Sequence, residues 1–364
     1  MLLAASAALA LSLPLAAQDE PKGAPAPSEI VVAAPATDWL AIAAEDLLVM
    51  TLAPDADGKP RTVVIQLMPA PFSQGWVHNI RLFARAKWYD NISVNRVQDN
   101  YVTQWGDLNY DNPEAKGKPK PLPEGLRVMT EANYTAPIPD KHIRQMMSIR
   151  ELADSLVPDI QDALAEFKRT GDNSRLAKIL TQIKDYRVGD TIADYVAFEG
   201  GLPIASNLEE MWPTHCYGMV GVGRNYSPDT GSGAELYTVI GHAPRHLDRN
   251  IALVGRVIEG MQHLSSLPRG SGALGFYTDE EAAKRTPILS VRVASDLPEG
   301  PASSSEAVGQ QIRPKFEYLS TESATFATYA EAIANRRDPF FIVPAGGADI
   351  CNIKVPVRRV AEAG

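Results

Sequence analysis

Cysteine is scarce: Cys216 and Cys351 are the only two in 364 residues. Two cysteines cannot form a disulfide framework. They leave either one bridge or two separate thiols. Histidine is scarce too, with six, and neither CxxC nor HExxH occurs. His215, Cys216, His242 and His246 form the one grouping with metal-ligand residue types. The first two are adjacent and would point to opposite faces of a strand, while Pro244 separates the others. No metal site is expected from that pattern. Gly218, Gly221 and Gly223 sit in strand-like sequence with no Walker lysine after them, so a phosphate loop is not expected either. A GxSxG nucleophile elbow is missing. Asp229, Glu235 and Asp248 are carboxylates with nothing to fix a catalytic separation. Basic excess is also lacking. The net charge of -9 argues against nucleic acid and against an anionic membrane surface as partners.

Long apolar runs are absent except at the start. Residues 1–17, MLLAASAALALSLPLAA, are too short for a usual membrane span and are expected to be a secretory signal ending in small residues near Ala16 and Ala17. The usual positive leading region is missing, and Leu15 is not small. Residues 18–40, rich in Ala, Pro and charge, are expected to be a flexible leader.

What is present is a chain long enough for a large core with additions. Leu47–Leu52 and Thr62–Met68 read as a hairpin around the Asp57-Gly58 turn. Val77, Ile80, Phe83 and Ala84 recur at helical spacing in a helix over 75–86. The stretch Val94–Asp107 reads as two short strands about a turn at Gln98–Asn100. It sets Arg96 beside the apolar Val94, Tyr101 and Val102. Two readings of that arginine stand, a structural ion pair or a fork of donors aimed at a neutral substrate. Between 142 and 198 the pattern is helical, with Pro158 expected to kink or divide the first helix and Thr191–Phe198 expected to prolong the helical region. Strand texture returns at His215–Val222, Glu235–Ile240, Ile251–Val257 and Ile288–Ala294. Ile258–Leu267 reads as a short helix or turn. In the tail, Ser323 is placed to cap a helix over 324–335, and Pro339–Val343 and Cys351–Val357 read as short extended segments packed on the body.

Three blocks carry a resemblance: TVVIQLMPAPFSQGWVHNIRLFAR (62–85), YDNISVNRVQDNYVTQWGD (89–107) and GMVGVGRNYSPDTGSGAELYTVIGHAPRHLDRNIALVGRV (218–257). In order and spacing they resemble the cyclophilin-type peptidyl-prolyl isomerases, in an enlarged, divergent form. The resemblance implies an all-β core, an eight-stranded closed barrel capped by two helices, drawn from 41–107 and 213–297. It leaves 108–212 as a mainly helical insertion and 298–364 as an extension packed on the barrel. It implies an outer-face groove, no cofactor and no metal. The implied partners are proline-containing polypeptide clients, with neither nucleic acid nor stable membrane insertion, in a bacterial periplasm or similar exported setting.

By the resemblance, Arg96 matches the catalytic arginine and Gln104 the substrate-binding glutamine. Tyr101, Val102, Tyr237 and Leu247 match the proline pocket, and Val222, Gly223, Glu235, His246 and Ile251 its surroundings. Several positions depart from the family pattern. Asn95 and Ile251 stand where histidines are usual, Glu235 where a glutamine is, His246 where a tryptophan is, and Tyr237 where a phenylalanine is. These departures keep a second reading alongside isomerase activity, a peptide-binding chaperone or assembly module with little turnover. For Glu235 two readings stand, pairing with Arg96 or Arg224, or a solvated strand start. For the cysteines, a bond pinning the tail to the barrel stands beside two free thiols.

Overall fold

The computed structural model describes residues 23–110, 115–184, 192–207, 209–300 and 311–360. The expected signal segment, 1–17, lies outside these. In chain order the elements begin α1 (Pro27–Val32), β1 (Trp39–Ala41), β2 (Leu47–Leu52), β3 (Arg61–Leu67), α2 (Gln74–Arg85), β4 (Ile92–Val97) and β5 (Val102–Gly106). Next come β6 (Ala136–Pro137), α3 (Asp140–Thr170), α4 (Ser174–Lys184), β7 (Tyr195–Glu199), β8 (Leu202–Ser206) and β9 (Glu210–Pro213). The last are β10 (Met219–Val222), β11 (Leu236–Val239), β12 (Leu253–Glu259), α5 (Gln262–Ser265), β13 (Pro287–Val293), β14 (Phe316–Leu319), α6 (Ala324–Ala334) and β15 (Val357–Arg359).

Eight strands close an antiparallel barrel in the order β10-β11-β5-β4-β13-β2-β3-β12. Alternation sends Leu48, Met50, Leu52, Val63, Ile65 and Leu67 into one core. The apolar face of α2 joins it through Trp76, Ile80 and Phe83, and α5 adds Leu264. Closure leaves no barrel edge to pair with another chain. Leu47, Val49 and Val64 point the other way yet are also buried. They meet Phe316, Leu297 and Ile42 beneath a second sheet, β1-β14-β15. This explains why β2 reads as the continuous apolar run LLVM rather than alternating, as strands buried on both faces do. Each such outward side chain stabilises the docked sheet by roughly 1.5–3 kcal/mol.

The segment expected to be a flexible leader is structured from Pro27 on. Ile30 and Val31 of α1 pack with Phe326 and Tyr329 of α6, and β1 is an edge strand on β14. Between β5 and β10 the chain is not only helical. A four-stranded sheet, β6-β9-β8-β7, accompanies the α3–α4 hairpin. Tyr195–Glu199, expected to be helical, is a strand, because its side chains alternate against β8 and bury Val196 with Ala205, Trp212 and Ile350. The α3 helix also runs through Pro158 without division. Among the described residues no helix is long and apolar enough to cross a membrane.

Ser323 does cap α6, its Oγ accepting from the Phe326 N–H at 3.0 Å. Pro339–Val343 forms no strand, and Phe340 and Ile342 lie 84% and 96% exposed. Of Cys351–Val357 only Val357 is in a strand, since 350–352 make a helical turn. Cys216 and Cys351 are bonded, with Cα atoms 5.0 Å apart. The bridge joins the segment before β10 to the extension across 135 residues. Replacing both cysteines by serine is expected to destabilise the chain by about 2–5 kcal/mol. Denaturant unfolding of the oxidised protein against the double variant checks this. Equal midpoints would show that the bond adds nothing to apolar docking.

Candidate active site

The β4–β5 pairing carries one irregularity that decides where Arg96 points. A regular strand would set Val94 and Arg96 on the same face. Here the register shifts between them, with Val94 opposite Trp105 and Arg96 opposite Gln104. Asn95 is the extra residue of a β-bulge. Its buried side chain holds the bulge, with Nδ2 donating to the Gly106 carbonyl at 3.1 Å and Oδ1 accepting from Ser93 Oγ at 2.6 Å. Val94 and Val97 can therefore both enter the core while Arg96 turns outward. The outward row continues across β5, β11 and β10 as Gln104, Tyr237 and Gly221, which are register partners. Gly221 is required there, since a Cβ would lie 2.3 Å from the Tyr237 ring. Gly106 likewise lets the Glu235 carboxylate lie across β5, where a Cβ would come within 1.8 Å of Oε1.

Gln104 and Tyr237 of this row floor a groove of about 240 Å³, with Arg96 at its edge. The side chains of Arg96, Tyr101, Val102, Gln104, Glu235, Tyr237, Leu247 and Ile251 line it, as does Gly223. Two expected residues do not. Val222 points into the barrel core, because alternation along β10 gives the outward places to Gly221 and Gly223. His246 is exposed and stacks on Tyr101 from outside, with ring centroids 6.4 Å apart.

Arg96 is held by neutral acceptors. Nε donates to the Leu274 carbonyl at 2.6 Å, Nη1 to Gln104 Oε1 at 3.1 Å, and Nη2 to Gln98 Oε1. The Tyr101 and Phe276 rings flank it at 5.7 and 5.5 Å. Burial lowers its pKa, and the nearby phenols of Tyr101 and Tyr237 offset this only in part. One N–H on each terminal nitrogen has no partner among the described residues. Gln104 is itself oriented, its Nε2 donating to Glu235 Oε2 at 3.3 Å. Glu235 thus reaches Arg96 through Gln104. Arg224 donates to the Asn250 and Asn225 carbonyls. Removing the tether with Glu235→Ala is expected to lower kcat/KM roughly 2- to 10-fold, mostly through KM. Steady-state kinetics on a proline peptide would read it, and an unchanged KM would separate Gln104 from substrate binding.

Sequence reasoning missed the wall formed by Leu274 and Phe276. The preceding Gly270-Ser271-Gly272 reads as a flexible loop, and the residues after it show no periodicity. Leu274 is held at φ 55°. That left-handed backbone costs a branched residue about 1–3 kcal/mol, here sustained in a segment whose carbonyl receives Arg96.

The floor beneath Tyr237 was also missed. Its hydroxyl donates to His215 Nε2 at 2.9 Å, and His215 Nδ1 donates to Asp248 Oδ1 at 2.8 Å. The His215 backbone N–H donates to the same oxygen at 2.9 Å, and Arg245 Nε donates to Oδ2 at 2.5 Å. Burial, aided by the charges of Arg245 and His246, keeps His215 below its usual pKa despite Asp248. Burial pushes Asp248 up, but His215 and Arg245 outweigh it and hold the carboxyl low. Burial raises the Tyr237 phenol, so it stays protonated and donates. The chain therefore runs Tyr–OH to neutral His to Asp⁻. Among the described residues no group of three or more His, Cys, Asp or Glu is placed to hold a metal ion.

Residues 62–293 match the family model described as Cyclophilin type peptidyl-prolyl cis-trans isomerase/CLD. The chain belongs to this family. Its cyclophilin barrel is enlarged by the segment between β5 and β10 and by the strands and helix after β13. The fold is similar to the crystal structure of cyclophilin AquaCyp293 from Hirschia baltica, with a TM-score of 0.55 and 17% identity over 90% of this chain and 95% of that one. At that identity the likeness concerns the fold. No curated protein matches the cyclophilin chain.

Proposed function

We propose that the protein isomerises Xaa-Pro bonds in exported polypeptide clients, with Arg96 as the catalytic residue. The observation that carries this reading is the half-buried guanidinium. It is fixed by three neutral acceptors, keeps two N–H groups available, and stands at the edge of an apolar-walled groove. The barrier to X-Pro rotation is amide resonance, about 20 kcal/mol. As the bond twists, the prolyl nitrogen becomes pyramidal and regains its lone pair. A hydrogen bond from Arg96 to that lone pair is gained only near the transition state, which is where binding accelerates. Tyr101, Val102, Tyr237 and Leu247 would grip the ring, and Gln104 would hold a flanking carbonyl through its second amide proton. The bond rotates without nucleophile, base or redox partner, so these residues suffice.

Export rests on residues 1–17 and accords with a disulfide between Cys216 and Cys351, a bond that persists in oxidising compartments. The second reading, a binding module with little turnover, draws on the polar floor behind Tyr237. Exchange NMR on an unlabelled Xaa-Pro peptide with substoichiometric protein separates the two. Catalysed cis–trans exchange is the expected result. Saturable binding without exchange would establish the module.

A further inference from the structure

A second cavity, also of about 240 Å³, shares no lining residue with the groove. Its walls are β10, β12 and the segment 350–357, and both bonded cysteines lie in the lining. Arg256 sits at its inner wall. Register places Leu47, Gln66, Arg256 and Met219 in one row across β2, β3, β12 and β10. Leu47 belongs to the cluster covered by the outer sheet, so this row faces outward. On a bare barrel that face would be wet, and here Arg256 is only 9% exposed.

Covering an arginine normally requires an acid beside it. None is provided. Nε donates to Gln66 Oε1 at 2.9 Å, while Nη2 is buried with no partner among the described residues. No Asp or Glu lines the cavity, although the chain carries a net charge of -9. A second cation, Lys354, stands exposed in the lining with Nζ 5.1 Å from the Tyr217 ring centroid. Most remaining lining side chains are apolar, Met219, Ile258, Met261 and Ile353 among them. Burial brings Arg256 down to about 10, which leaves it charged at neutral pH.

We propose that this cavity binds a small organic monocarboxylate, its oxygens on the Arg256 guanidinium and its apolar body against Met219, Met261 and Ile353. A guanidinium N–H facing the cavity would donate a charge-assisted hydrogen bond to a carboxylate oxygen. A phosphate fits less well: Lys354 can meet its second charge, but the mostly apolar lining would leave several of its oxygens without donors. The acid would supply the counter-charge the fold omits. Because the cavity lies between barrel and extension, it would also fasten the extension to the barrel.

The test uses the full-length oxidised protein with sodium hexanoate as probe and hexanamide as its uncharged control. Methyl shifts of Met219 and Met261 and the thermal midpoint are followed in parallel. Hexanoate is expected to move both methyls saturably and raise the midpoint, and hexanamide to do neither. Arg256→Met is expected to weaken hexanoate binding roughly 10- to 100-fold. Its ligand-free midpoint should stay at or above wild type, since the variant removes an uncompensated buried charge. Turnover at the groove should be unchanged. Equal effects of hexanoate and hexanamide, undiminished binding in Arg256→Met, or no saturable shift in the wild type would each overturn the proposal.

Discussion

Arg96→Ala is expected to lower kcat/KM on an Xaa-Pro peptide by roughly 10²–10³-fold, the effect of deleting one preorganised donor aimed at a transition state. The fold should survive. Arg96 points out of the barrel, and the groups it leaves behind, Leu274 O, Gln98 and Gln104, sit at the rim of an open groove where water can replace it. Arg96→Lys should fare little better. A lysine keeps the charge but not the fork, and three fixed acceptors surround a planar group. If the contribution were only positive charge near the substrate, Lys would restore most of the rate. Exchange NMR with thermal unfolding decides both. Wild-type turnover in a folded Arg96→Ala would remove the arginine from the mechanism.

The second large effect concerns stability. Asp248→Ala is expected to cost about 3–5 kcal/mol, the range for deleting one member of a buried charged pair. It strands the His215 Nδ1–H and the His215 backbone N–H and takes away the Arg245 Nε acceptor. Asp248→Asn should cost less, since an amide oxygen can still accept. Urea unfolding gives both values. A loss below about 1 kcal/mol in Asp248→Ala would mean that the network is not stabilising. The same groups set a pH dependence. His215 is held below its ordinary value of 6.5, so the unfolded chain binds the extra proton first and stability falls as pH drops from about 6.5 toward the folded value. Asp248, held below 3.8, adds a further loss from about pH 4 downward. His215→Phe should remove the first window and shrink the second, since His215 is one of the two groups that hold the Asp248 carboxyl low. Turnover should weaken along with stability on acidification, because a protonated His215 can no longer accept from Tyr237.

The closed barrel was legible through the resemblance and its single strands through local pattern, β2 matching the sequence reading at both ends. The groove was legible mainly through resemblance. Local pattern alone left Arg96 undecided, because the bulge at Asn95 breaks the alternation that such readings assume. Val222 was misassigned for the opposite reason, since alternation there holds and turns it inward. The mixed insertion escaped because Tyr195–Glu199 is as apolar as a helix end, and only its pairing with β8 makes it a strand. Leu274, Phe276 and the Tyr237–His215–Asp248 chain had no local signature. Each depends on loops brought together by barrel closure.

The register of β5 against β11 also bears on how the chain reaches this state. Gln104 and Tyr237 are neighbours across a ladder but are separated by the whole inserted segment. Lengthening a loop costs little at equilibrium, about 0.6 kcal/mol per doubling. Its kinetic effect is larger, because contacts distant in sequence form late and slow the search. The hairpins β2–β3 and β4–β5 can form as the chain emerges, whereas the groove cannot exist until β11 has crossed the insertion. Refolding should therefore regain barrel-hairpin structure before proline-peptide binding, and trimming the insertion should shorten that lag more than it alters the final stability.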